Sequence, residues 1–132
     1  MNFALRGVAD SIKIWYTLFV KAEENKVDIR EIRLRVNNGF YPTKRDAILH
    51  AIKEGFARQD MVDAIMSGQV IEEYPDRNRV LICGRTTLSP QVTIYLHVLC
   101  EYSDPVYIEI ITAYIPDERI WESPPFYRRK RR

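Results

Sequence analysis

Long apolar runs, clustered cysteines and glycine-rich loops are all missing from this chain of 132 residues, and each absence removes a class of function. The one apolar stretch in the N-terminal part, residues 12–20, is interrupted by Lys13 and flanked by Asp10 and Lys21. It is too short and too charged to span a bilayer. A basic start followed by a small-residue cleavage site, as in a secretory leader, is also lacking. The expectation is a soluble cytoplasmic protein with no membrane partner.

Cysteine occurs twice, as Cys83 and Cys100, with no CxxC spacing and no His or Cys neighbours placed to share a metal. Buried thiols are expected, and neither a zinc site nor a disulfide framework. The five glycines are scattered, so no loop can cradle the phosphates of a nucleotide. No serine sits in a Gly-x-Ser-x-Gly turn, which sets acyl hydrolysis aside. No cofactor or metal is expected.

What is present suits one compact domain, because a hydrophobic fraction of 46% at this length can bury a substantial core. The formal charge of +2 is uneven. Arg128, Arg129, Lys130, Arg131 and Arg132 supply five positive charges at one end, leaving −3 on the remainder. A mildly acidic body argues against gripping nucleic acid over the whole surface. The basic run reads either as a solvated tail or as an arm that touches phosphates without sequence preference.

Periodicity predicts helices first and strands afterwards. A helix over residues 10–24 places Ile12, Trp15, Tyr16 and Phe19 on one face, which either caps the core or makes a homodimer contact through Trp15 and Phe19. Asp28 and Glu31 have the spacing of a capping box, with Val27 and Ile32 as a hydrophobic staple. Ile29, Ile32 and Val36 would line the buried side of that helix, and Asn37-Asn38-Gly39 would stop it. A third helix should run from residue 43 or 44 to 54, with Ile48, Ala51 and Ile52 inward and a polar stripe of Asp46, His50 and Glu54. A fourth, over residues 59–67, carries Met61, Val62, Ile65 and Met66 on one side.

Strands are expected over residues 70–74, 79–84, 92–102 and 106–114, separated by proline-containing turns. Such short links require an antiparallel meander. The predicted fold class is therefore α+β, with the helices packed on one face of a four-stranded antiparallel sheet. Within the third strand, alternation sends Leu96 and Val98 to one face and His97 to the other.

From Gly55 to Trp121 the order of short motifs carries a resemblance. Gly55-Phe56, Asp60-Met61-Val62, Ala64-Ile65, Gly68 and Val70-Ile71-Glu72-Glu73-Tyr74-Pro75 are followed by Leu81-Ile82-Cys83-Gly84, Leu96-His97-Val98, Thr112-Ala113-Tyr114-Ile115-Pro116 and Trp121. Over residues 28–121 this resembles the bacterial family called domain of unknown function 4258. The resemblance implies a toxin of a toxin–antitoxin pair, with the fold shared by barnase-like, colicin-like and RelE-like ribonucleases. The antitoxin would be similar to the zinc-finger partner of the toxin MqsR. The family commonly has a His-Ala pair where this chain reads Asp46-Ala47, so His50, one turn later, has either taken over the role or the role is absent. The implied layout is an N-terminal helical extension over residues 1–26, a toxin-like domain over 27–122 and a basic tail over 123–132.

Metal-free RNA cleavage needs a base near the 2′-oxygen, an acid near the leaving oxygen and a cation beside phosphorus. His50 and His97 are the two histidines. Asp46, four residues before His50, can approach its imidazole and hold it in place as a general acid. Tyr114 can position or donate a proton. Arg58, Arg85 and Lys53 are candidate phosphate contacts, joined by Arg128 and Arg129 of the basic run. The bland readings stand beside these: His50 as an ordinary helix residue bonded to Asp46, His97 as a hydrogen-bonded sheet histidine, and Tyr114 as a sheet-surface aromatic. A catalytically inactive protein- or RNA-binding module on the same fold is the alternative function.

Overall fold

A computed structural model describes residues 27–130 of the chain. The predicted helix over 10–24, its dimer contact through Trp15 and Phe19, and the last two arginines lie outside the described residues.

Helix α1 (Ile29–Asn37) begins where Asp28 offers a carboxylate to the Arg30 N–H at 2.9 Å. That satisfies one of the N–H groups left without a partner in a first helical turn. The predicted capping box does not close, because Glu31 accepts from Arg35 Nε at 3.2 Å instead. An oppositely charged residue one turn on draws the carboxylate away from the backbone. Ile32 and Val36 are buried, and Gly39 leaves the helix at φ 88°. Arg33 then ties α1 to the next layer through the carbonyls of Ile65, at 3.2 Å, and Gly68, at 2.5 Å.

Helix α2 (Arg45–Glu54) is seated on a strand before it starts. Lys44 N–H donates to the Ile110 carbonyl and Ile110 N–H to the Pro42 carbonyl, both at 2.8 Å. Ala47 and Ala51 form its inner side, and Gly55 ends it at φ 84°. Ile52, expected inward, is 76% exposed. Each residue turns the helix by about 100°, so contact through the small Ala47/Ala51 pair carries Ile52 outward. Helix α3 (Arg58–Ser67) buries Met61, Ala64 and Ile65, while Met66 is exposed rather than part of that face.

The sheet follows as strands β1 (Gln69–Tyr74), β2 (Arg79–Ser89), β3 (Val92–Glu101) and β4 (Glu109–Tyr114), in the spatial order β1-β2-β3-β4 and antiparallel throughout. A single 3₁₀ turn, Pro75–Arg77, joins the first two. Helices followed by an open antiparallel meander make the fold α+β, as the periodicity predicts. Helix α3 packs on β2 and β3 and helix α2 on β4. At Gly84 the approach of α3 is backbone to backbone: a Cβ there would lie 1.8 Å from the Ala64 carbonyl oxygen.

Ile82, Leu96, Val98 and Cys100 join α1–α3 in the main core. Leu81, Cys83 and His97, one step along their strands, are also buried but belong to the other face. There His97 stands directly opposite Cys83 on one side and Tyr114 on the other. Residues 120–129 cover this spot as a closed loop. Arg129 N–H bonds the Ile120 carbonyl at 2.8 Å, Glu122 N–H bonds the Tyr127 carbonyl at 2.9 Å, and Trp121 pairs with Arg128. Arg128 and Arg129, the first two residues of the basic run, are therefore bonded within this loop.

Candidate functional site

The polar stripe of α2 faces β4 and is laced to it by two carboxylates. Asp46 Oδ2 accepts the Thr112 hydroxyl at 2.6 Å, and Glu54 Oε1 accepts the Ile115 N–H at 3.0 Å. Between them His50 Nδ1 lies 2.7 Å from Glu54 Oε2, with its Nε2 3.7 Å from Asp46 Oδ2. A carboxylate only accepts, so Nδ1 carries a proton, and in the neutral tautomer Nε2 is the nitrogen with the lone pair. Asp46 is thus the more distant of two flanking acids. Glu54, on the same stripe, is the nearer one, because Asp46 is shorter and already engaged by Thr112.

A cavity of about 440 Å³ opens beside this helix, lined by His50, Lys53, Glu54, Tyr114, Trp121 and Arg128 among others. Lys53 makes no ion pair among the described residues. Arg128 makes a bidentate one: its Nε and Nη2 donate to the two oxygens of Glu72 at 2.8 and 3.0 Å, and its guanidinium lies 4.6 Å from the centre of the Trp121 ring. The Arg128 contact, aided by the Tyr74 hydroxyl, holds the Glu72 carboxyl below its usual range against the opposing effect of burial.

Tyr114 separates the two histidines, its ring centre 6.4 Å from that of His50 and 5.3 Å from that of His97. His97 is completely buried and does not reach the cavity. Its Nε2–H donates to the Pro125 carbonyl at 2.8 Å, which leaves Nδ1 to accept the Tyr114 hydroxyl at 3.3 Å. The Trp121 ring meets it edge-on at 4.4 Å. Desolvation lowers the proton affinity of His97, and the Arg128 charge adds to this. The Pro125 bond and the Glu72 charge oppose it. Burial likewise raises the Tyr114 phenol to about 12. The interior is arranged around a neutral imidazole and a neutral phenol.

Of the residues singled out from sequence, His50, Asp46, Lys53, Tyr114 and Arg128 converge, with His97 behind Tyr114. Arg58 lies elsewhere, bonded at 3.1 Å to both the Thr43 hydroxyl and the Tyr41 carbonyl. Arg85 stacks over Tyr95 at 5.2 Å, and Arg129 Nε is taken by the Glu118 carbonyl at 2.6 Å. Glu72, Trp121 and the Pro125 carbonyl complete the site without having been singled out for it. Glu72 and Trp121 both stand in the motif series, but nothing in the sequence pairs Glu72 with Arg128.

Among the described residues no group of three His, Cys, Asp or Glu side chains is placed to hold a metal ion. Cys83 and Cys100 are buried free thiols whose burial raises them to about 11 and about 12, so neither is poised as a thiolate. No described helix is long and apolar enough to cross a membrane. The family described as Domain of unknown function (DUF4258) matches residues 43–115, which carry α2, α3 and the whole sheet. No curated protein and no solved structure matches the chain.

Proposed function

Because this chain belongs to the DUF4258 family, whose matched segment carries His50 and Tyr114, we propose that the cavity beside α2 is the active site of a metal-independent ribonuclease. The observation that carries the reading is His50, held at Nδ1 by Glu54 at 2.7 Å, in a cavity that Lys53 and Arg128 also line. A fixed acceptor at Nδ1, the Glu54 carboxylate, leaves Nε2 free to take a proton.

In this reading Nε2 of His50 removes the proton from a ribose 2′-hydroxyl. The 2′-oxygen attacks phosphorus and the bond to the 5′-oxygen breaks. Tyr114 rotates its hydroxyl away from His97 Nδ1 and gives the phenolic proton to that leaving oxygen, and the proton on His50 returns to the phenolate through solvent. The products are a 2′,3′-cyclic phosphate and a 5′-hydroxyl. Lys53 and Arg128 balance the charge that grows on the phosphoryl oxygens. Asp46 and Glu54 orient His50, and His97 positions Tyr114. A RelE- or barnase-like arrangement with the helices on one sheet face, action in the cytoplasm and silencing by an antitoxin belong to the same proposal.

The test is purified protein incubated with end-labelled single-stranded RNA in the presence of EDTA. Cyclic-phosphate ends are expected, with a rate about 10²–10⁴-fold lower for His50→Ala. Cleavage that His50→Ala leaves untouched, or none by the wild type, overturns the assignment. A second reading, a non-catalytic RNA-binding module, draws on both nitrogens of His97 being engaged and on Arg128 being paired with Glu72. It predicts RNA binding without any cut product.

A further inference from the structure

A second cavity, of about 470 Å³, adjoins the first across the sheet, and Tyr114 and Arg128 line both. Its floor is the cross-strand pair Leu81 and Leu99, with Tyr74 among its walls. Arg77, on the 3₁₀ turn, and Arg79, at the start of β2, stand around it. Asp76 is the one acidic residue in its lining. Arg79 is bonded to Glu101 at 3.0 Å, whereas Arg77 makes no ion pair among the described residues. Arg128 uses only Nε and Nη2 on Glu72, so a guanidinium with about five N–H donors still has donors to offer along the ridge between the cavities.

An apolar floor beside aromatic and guanidinium groups has the chemistry of a nucleotide: a flat base that prefers apolar or aromatic contact, joined to a phosphate that prefers a planar cation. The volume also falls within the about 300–1,000 Å³ of small-ligand sites. Resting on the ribonuclease reading, the geometry points to a second subsite, in which this cavity receives the base and ribose next to the cleaved bond while the phosphate sits on the Tyr114–Arg128 ridge. The occupant is single-stranded RNA. A base must leave its stack to reach Leu81 and Leu99, which a paired strand resists.

The experiment measures binding separately from cutting. A fluorescent single-stranded hexaribonucleotide, 2′-O-methylated throughout so that it cannot be cleaved, is titrated with the full chain by anisotropy. Arg77→Ala and Leu99→Glu are each expected to weaken binding on the order of tenfold, and a duplex of the same sequence should not compete. Circular dichroism of both variants checks folding, and Arg77, on an exposed turn, keeps the test decisive if Leu99→Glu unfolds. Wild-type affinity in folded Arg77→Ala, equal competition by duplex, or no binding by the wild type overturns the subsite. Wild-type protein that binds with these losses yet cuts no unmodified RNA leaves the subsite standing and removes the nuclease reading alone.

Discussion

His97 Nε2–H donates to the carbonyl oxygen of Pro125 across 2.8 Å, joining the middle of a central strand to a loop that closes over it. The same imidazole accepts the Tyr114 hydroxyl on its other nitrogen. One ring thus holds both the lid over the sheet and the phenol at the cavity wall.

Replacing His97 by Phe should therefore cost more than a change of shape. It leaves the Pro125 carbonyl and the Tyr114 hydroxyl without their partner, and an unsatisfied buried polar group costs about 1–3 kcal/mol. Urea denaturation should show a loss in that range or above for His97→Phe, and a smaller one for His97→Gln, whose amide can still donate. Equal stability of His97→Phe and wild type would contradict the described hydrogen bonds.

The pH dependence of stability has a definite sign. Burial depresses the proton affinity of folded His97 below its ordinary 6.5, although Glu72 and the Pro125 bond oppose this. The unfolded chain then takes up a proton first as pH falls. The His97 contribution is complete above about 6.5 and drains away as pH drops toward the folded value. Glu72, held low mainly by Arg128, adds a second loss below its ordinary 4.5. Melting temperature measured from pH 8 to pH 4 should fall on the acid side, and His97→Gln should flatten the first part of that fall while leaving the second.

The Glu72–Arg128 pair is partly exposed, with side-chain accessibilities of 23% and 55%. Such pairs contribute at most about 1 kcal/mol. Glu72→Gln is expected to lower stability by that order, and the difference from wild type should shrink in high salt. A salt-independent loss of several kcal/mol would mean that the pair is sealed from solvent.

Glu54→Gln keeps an oxygen for the Ile115 N–H but removes the charge beside His50. If His50 is the base, kcat on RNA should fall by about tenfold or more, short of the about 10²–10⁴-fold loss from removing the imidazole, while KM changes little. A raised KM with unchanged kcat would place Glu54 in binding instead.

Gly84→Ala should be the most damaging small substitution in the sheet. The new Cβ would be 1.8 Å from the Ala64 carbonyl oxygen and 2.5 Å from its carbon, both backbone atoms of α3. Overpacking of this kind typically costs about 1–3 kcal/mol, and here no side chain can swing aside. Thermal or urea unfolding should show a loss at or above the top of that range.

Periodicity revealed the elements well because their signals are local. Gly39 and Gly55 end α1 and α2 in the left-handed conformation, and the first and third strands match their predicted bounds within a residue, whereas β2 runs on to Ser89 rather than ending at Gly84 and β4 begins at Glu109 rather than Val106. Facing was harder to read. Ile52 looks like a core residue until Ala47 and Ala51 are known to make the contact. The site shows the same divide. Asp46, His50 and Glu54 fall on one stripe by simple spacing, but which acid holds His50 depends on Thr112 and Ile115, brought up by a distant strand. The fate of Arg128 was hidden for the same reason, since its partner Glu72 belongs to the opposite edge strand. In a run of basic residues nothing marks the first as different.

The closed loop over residues 120–129 also fixes when the cavity comes into being. His50 is synthesised long before Trp121 and Arg128, so a chain still emerging from the ribosome carries the imidazole without two of the walls around it. Removing the segment from Trp121 onward would return the protein to that unfinished condition, taking the Pro125 carbonyl from His97 and the Arg128 wall from both cavities.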